Sequence, residues 1–217
     1  MSPQMIDRLW QAALDTLLMV GVSAGVAVAA GIPLALFLVT SGPGGIVPAP
    51  RANRLVGLLV NGFRAVPFIV LLVALIPFTR LVAGTTIGVW AAIVPLAVSA
   101  TPFFARIAEV SLREIDPGLI EAAQSIGCRR RHILVHVLLP EALPGIVGGF
   151  TITVVSMISA SAVAGAVGAG GLGDVAIRYG YQRFDTTVMA VVIAILVVLV
   201  CLVQLAGDRA VRRLRAR

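Results

Sequence analysis

Five stretches of this chain are apolar for long enough to cross a lipid bilayer, four of them without a charge and one holding a single arginine, and that pattern limits what it can fold into. A spanning helix needs about 20 consecutive apolar residues, because the hydrocarbon core is about 30 Å thick and a helix rises about 1.5 Å per residue. Counting uncharged runs places spans at 16–40, 57–78, 87–104, 143–163 and 186–205. Gly42, Pro43, Gly44, Gly45, Pro48 and Pro50 separate the first two, and Arg80, Gly84, Thr85 and Thr86 mark a tight turn before the third. Pro95 and Pro102 predict kinks in the third span. The expected fold is an all-α integral membrane protein with five transmembrane helices, a single domain over 1–217. Only 12% of residues are charged and 59% are hydrophobic, against roughly 25% charged in soluble domains. Asp7 and Arg8 precede a run too long for a signal-peptide core, so no cleaved leader is expected. Cys128 falls in a polar loop and Cys201 in a span, which excludes a structural disulfide between them.

All 17 basic residues are arginine. Without lysine the chain cannot build a nucleotide-binding P-loop, a Schiff base or a lysine nucleophile. The +7 charge sits at span ends, so it does not point to nucleic acid. One side of the bundle would hold Arg51, Arg54, Arg106, Arg113, Arg129, Arg130, Arg131, Arg209, Arg212, Arg213, Arg215 and Arg217. The other keeps Arg8, Arg80, Arg178 and Arg183, with Arg64 inside the second span. The basic side is expected in the cytoplasm, with the C-terminus, and the N-terminus outside. No carboxylate falls near the centre of a predicted span, which argues against a proton- or sodium-coupled carrier.

The long polar interruption is EIDPGLIEAAQSIGCRRRHILVHVLLPEALPG, from Glu114 to Gly145; the loop itself is expected over 106–142, and the stretch runs on into the start of the fourth span. Asp116 suits an N-cap and Pro117 the first helical position. A short helix should run through Glu121 to about Ile126, stopped by Gly127 in the left-handed region. A second should follow from Arg129, with Ile133, Leu134, Val137 and Leu138 on one face, ended by Pro140 and Pro144.

Other features carry weaker signals. Gly168, Gly170 and Gly173 spell GxGxxG, but they follow a membrane span, and no acid stands where a ribose would need it. The run from Gly165 to Asp174, which includes Gly171, is expected to break the fourth helix and is a candidate external gate. His132 and His136 at i, i+4 lack a convincing third ligand, so no metal site is expected. Arg64, near the cytoplasmic end of its span, either snorkels to headgroups, pairs, or stands by the pore with Asn61 on nearly the same face. Ser156, Met157 and Ser159 are candidates for the translocation path, against helix-packing roles. Gly21 with Gly25, and Gly145 with Gly149, are GxxxG patterns expected to pack helices.

The spacing of Glu121, Ala122, Ala123, Gly127, Val137, Leu139 and Pro140 resembles the EAA loop of bacterial ABC-importer permeases. That pattern is EAA, three residues, Gly, nine residues, Ile, any residue, Leu-Pro; Val137 stands in place of Ile. More widely, the chain is similar to the permease subunit of methionine-import ABC transporters. The similarity rests on FRAVPFIVLL from Phe63, IPFTRLVAGTTIG from Ile76, VPLAVSATPFFAR from Val94, LLPEALPGI from Leu138 and AGAVGAGGLGD from Ala164. It extends through VMA at Val188 and QLAGDR at Gln204.

The resemblance implies a type I importer fold in the bacterial inner membrane. The implied assembly is a homodimer with two cytoplasmic ATPase subunits and an extracytoplasmic substrate-binding lipoprotein. It also implies that Glu121, Ala122, Ala123 and Gly127 form the coupling helix, while Leu139 and Pro140 set its angle to the fourth span. ATP and Mg would be bound by the partner, with no cofactor and no covalent chemistry in this chain. The implied cargo is L-methionine, often D-methionine or derivatives. The rivals are another amino acid, a quaternary amine or an oxyanion in the same architecture, and a stand-alone channel or carrier.

Overall fold

A computed structural model describes residues 2–216, so Arg217, counted above on the cytoplasmic side, lies outside the described residues. The described residues fold into helices and short connections without a β-strand. Among the described residues four helices are long and apolar enough to cross a membrane, and the total is five if a bent helix pair counts as one span.

The first helix, α1 (Pro3–Thr40), starts well before the predicted 16 and has 38 residues. At about 1.5 Å per residue it is nearly twice the hydrocarbon thickness, so its end turns must lie outside the lipid core. The uncharged-run count misplaced its start because Asp7, Arg8 and Asp15 interrupt the apolar pattern without interrupting the helix.

The second span is not one helix. α2 (Pro50–Ala65) and α3 (Phe68–Ala74) meet at 104°. Val66, just before Pro67, is extended (φ −80°, ψ 126°), as the clash with a following proline ring dictates. A further short helix, α4 (Ile76–Ala83), ends at Gly84, which has φ 74°.

The third span, α5 (Val89–Arg113), passes through Pro95 and Pro102 as one helix and continues beyond 104 to carry Arg106 and Glu109. α6 (Pro117–Ser125) is the short helix expected in the polar loop. The helix after it differs from expectation. α7 (Arg130–His132) runs into a π-helical stretch, Ile133–Leu138, and on into α8 (Leu139–Ala166), so Pro140 and Pro144 do not end anything. A proline ring in a regular helix collides with the carbonyl four residues back, and a wider turn relieves that collision. The wide turn stands immediately before Pro140, where the Leu139 N–H donates to the Leu134 carbonyl.

α8 stops at the glycine run, as expected. α9 (Gly171–Val175) follows and widens into a second π-helical stretch, Ala176–Tyr181. α10 (Thr186–Arg215) absorbs both the fifth span and the arginine tail, running through Gly207 without a break. Asp185 caps it by accepting from the Thr187 and Val188 N–H groups at 3.1 and 3.0 Å.

The buried residues form three clusters stacked along the bundle. The middle one joins α1, α5 and α8 through Met19, Ala24, Leu96, Met157 and Ile158. One end is built around Phe104, Leu112, Ile115, Leu138 and Ile146, and the other around Leu9, Leu172, Val188 and Val192. The two GxxxG patterns behave differently. A Cβ on Gly145 or Gly149 would meet Ser111 or Ile107 of α5 at 2.6 and 2.4 Å, so these glycines do bring α5 and α8 together. Gly21 and Gly25 have nothing within 4 Å and face outward, so within this chain they pack against no described helix.

Candidate coupling surface and central cavity

At one end of the bundle, α6 is held by its own sequence. The Asp116 carboxylate accepts from the Gly118 N–H at 2.8 Å, and Pro117 needs no partner for an N–H it lacks. At the other end of α6, Gly127 has φ 78°. Its N–H donates to the Gln124 carbonyl at 2.9 Å, and the Cys128 N–H reaches the Ala123 carbonyl at 3.0 Å. These two bonds make a Schellman cap. The cap turns the chain sharply into α7 and fixes the angle between the two helices.

One side of α6 faces the protein. Ala123 is buried and Ile120 half-buried, resting on the cluster that contains Ile115 and Leu138. The opposite side is open. Leu119, Ala122 and Ile126, spaced i, i+3, i+7, form an apolar stripe, and Ile126 is 81% exposed. Glu121 is exposed beside them. Sequence reasoning took Ile126 only as the end of the helix and passed over Leu119. The available signal was an apolar residue on each flank of EAA, in a loop that should otherwise be polar. Leu139 is half-buried and Pro140 exposed, at the joint where the wide turn meets α8.

The same end contains an ion cluster that the sequence did not announce. Glu109 is only 3% exposed and accepts from Arg106 and from both Nε and Nη2 of Arg113. Arg106 also donates to the Asn61 side chain at 2.8 Å, tying α5 to α2. The loop after α1 packs beside α6 in a cleft that includes Thr40, Gly44, Ile46, Ile120 and Glu121. The tail end of α10 reaches the cleft that holds Ser111, Glu114 and Glu141 through Arg215. The basic segments assigned to one side therefore do gather at one end. His132 and His136 stack there with ring centroids 5.2 Å apart, both exposed.

At the opposite end, the glycine run is a tight knot rather than a slack connector. Gly168, Gly170 and Gly171 all have positive φ, between 75° and 95°. A Cβ on Gly173 would lie 2.3 Å from the Ala162 carbonyl oxygen, and one on Gly165 2.5 Å from the Asp174 nitrogen. The Leu172 N–H donates to the buried Thr16 hydroxyl at 2.9 Å, and Gly88 N–H to the Gly168 carbonyl at 3.0 Å. The loop thereby joins α1, α5 and α8. Because a helix precedes it, the GxGxxG spelling has none of the strand–turn–helix context of a dinucleotide site. Arg8 and Arg183 both lie over the Tyr179 ring at this end.

Between the two ends lies a cavity of about 170 Å³ open to one side. Its walls are Phe63, Arg64 and Val66 from the end of α2, Leu96, Ser99, Ala100 and Phe103 from α5, and Thr153, Ser156, Met157 and Ala160 from α8. The structure thus brings Arg64, Ser156 and Met157 together. Ser159 is exposed but does not line this cavity, and Asn61 is engaged by Arg106 instead. Arg64 is level with the middle of α5 and α8, not with the headgroup end that its place early in an unbroken span implied. The break at Pro67 accounts for the difference: α2 stops at mid-depth, leaving its last turn facing the cavity.

The chain is similar to known proteins over nearly its whole length. The sequence pattern described as the binding-protein-dependent transport system inner membrane component matches residues 27–216. A protein of Vibrio cholerae named probable D-methionine transport system permease protein MetI is 51% identical over 211 residues, covering 97% of this chain and 94% of its own length. The methionine import system permease protein MetP of Bacillus subtilis is 37% identical, covering 94% and 91%. Among solved structures, the MetNI methionine ABC transporter in inward-facing conformations superposes with a TM-score of 0.97, at 48% identity and 99% coverage of both chains. An amino acid ABC transporter with histidines shares the fold, with a TM-score of 0.80 at 20% identity and coverage of 97% and 95%.

Proposed function

This chain belongs to the family of binding-protein-dependent transport system inner membrane components, and on that premise we propose how its geometry serves import. It is the membrane-spanning permease of an ATP-driven ABC importer for methionine, working with a separate ATPase. The observation that carries the mechanistic reading is α6: a capped helix at the basic end of the bundle, packed on one side and apolar on the other.

An exposed stripe of Leu119, Ala122 and Ile126 needs cover. In our reading the cover is a cleft on the cytoplasmic ATPase, with Glu121 at its polar rim. Ala123 and Gly127 hold the helix in place, and Leu139 and Pro140 set its angle to α8. The Schellman cap and the buried cluster beneath α6 make the loop a stiff lever, so a displacement at the ATPase reaches α5 and α8 with little loss. The end holding α6 is cytoplasmic by the arginine count, which leaves the N-terminus outside.

The remaining assembly follows from incompleteness. One chain offers one lever and a cavity open on one side, so a second copy related by a two-fold axis would close the path. Each copy would then present its α6 to one of two ATPase subunits. The knot of Gly168, Gly170, Gly171 and Gly173 would be the outer gate, where an extracytoplasmic binding lipoprotein delivers substrate. Arg64, Ser156 and Met157 would line the route, with Ser159 facing the second copy rather than the cavity. Nucleotide and magnesium belong to the partner, and this chain performs no covalent chemistry. ATP binding closes the ATPase dimer, and the bundle rocks from inward-open to outward-open. The coupling requires contacts that differ between those two states.

Reconstitution tests this. Proteoliposomes carrying the chain, the ATPase and the delivery protein should accumulate radiolabelled methionine only with ATP. Flux through the chain alone would instead support a channel or a self-sufficient carrier.

A further inference from the structure

Arg64 is a mid-membrane guanidinium without a carboxylate among the described residues. A charged side chain at that depth carries a penalty on the order of a few kcal/mol unless something compensates it. The other arginines of this region are compensated: Arg106 and Arg113 share Glu109. Arg64 makes no ion pair and no hydrogen bond among the described residues, and no acid lines its cavity. A second copy of the chain would not help. The ten carboxylates of the sequence fall toward the ends of the spanning helices, so a two-fold partner brings another Arg64 to this depth and no anion.

The hydroxyls of α5 and α8 repeat the theme. Thr101, Thr151 and Thr153 turn back to the carbonyl four residues earlier, the usual way a helix satisfies such a group in lipid. Ser99 and Ser156, on the cavity wall, make no such bond among the described residues. Beside them on the wall are Phe63, Phe103 and Met157. Among the described residues the cavity therefore offers one free cation, two free hydroxyls and an apolar, sulfur-friendly surface.

We propose that this cavity is an α-amino-acid site in the membrane, with Arg64 binding the substrate carboxylate. A guanidinium matches a carboxylate with two parallel N–H···O bonds, which a lysine could not reproduce. Ser99 and Ser156 accept from the ammonium group. An unbranched thioether chain then lies against Phe63, Phe103 and Met157, where sulfur–aromatic contacts favour it. The carboxylate supplies the missing anion at the moment of transit, so the permease itself selects for an amino acid and against an amide or amine of the same shape. This rests on the importer reading above and adds a specificity residue to it.

The test uses the full complex in proteoliposomes, with a diazirine analogue of methionine as transported probe and mapping of its photo-adducts. The wild type should give adducts on Phe63, Phe103 or Met157. Arg64→Gln should lower both methionine uptake and adduct yield by about ten- to a hundred-fold, the usual loss for a charge-assisted contact. Arg64→Lys should fall between, and both variants should still assemble with the ATPase. Undiminished uptake and adduct yield in Arg64→Gln would overturn the proposal, as would wild-type adducts confined to other segments. Failure of the wild type to transport methionine at all would sink the substrate assignment itself, and this inference with it.

Discussion

Substitution of Gly127 probes the lever without disturbing anything packed against it. A Cβ at that position would meet nothing within 4 Å, so the effect of Ala is conformational alone. Holding a non-glycine residue at φ 78° costs about 1–2 kcal/mol. That corresponds to roughly a 5- to 30-fold loss of the capped conformation relative to alternatives. Asn, which tolerates the left-handed region, should lose less. Pro cannot reach this φ at all and also deletes the N–H that donates to Gln124. The expected order of methionine uptake per ATP hydrolysed is therefore Gly, Asn, Ala, Pro. The detergent-solubilised chain should melt at nearly the same temperature throughout, because the spanning helices are untouched. The assay is ATP-dependent uptake in proteoliposomes with hydrolysis measured in parallel. Wild-type coupling in Gly127→Pro would show that the loop need not be rigid, and the lever argument would fail.

Other substitutions test the rest of the frame. Glu109→Gln leaves two arginines short of a carboxylate and loosens the Arg106–Asn61 link, so it should destabilise the chain by about 1–3 kcal/mol, read as a lower melting temperature. Gly173→Ala should displace the outer knot, since the Ala162 backbone it would strike cannot rotate away; an overpacking cost of about 1–3 kcal/mol and a loss of uptake are expected. By contrast Gly21→Ala, in an ordinary helical position with open space, should leave stability unchanged or slightly raised.

Much of this could be read from the order of residues, and what could not has physical causes. The helix α6 was legible because its signals are local: Asp116 and Pro117 start it, and Gly127 ends it. The span count was legible because lipid forbids uncompensated charge over long runs. Span boundaries were not, because a helix continues past the hydrocarbon wherever water or protein satisfies its side chains, as α1 and α10 do. The π-turn before Pro140 escaped notice because a proline reads as a stop, whereas one widened turn lets a helix carry it. The cavity was only half legible. Arg64 stood out as a charge in a span, but its depth depends on a 104° bend that Pro67 hints at without measuring. Ser99 and Phe103 reach the same cavity from α5, a tertiary convergence with no marker in the sequence.

The central claim is that α6 meets the ATPase on the cytoplasmic face. Ala122→Cys, in a background with Cys128→Ser and Cys201→Ser, places one thiol in the middle of the exposed stripe. A membrane-impermeant maleimide should label it in inside-out vesicles but not in intact cells, and binding of the ATPase should slow that labelling at least ten-fold. Labelling from outside the cell, or a rate indifferent to the ATPase, would contradict the account.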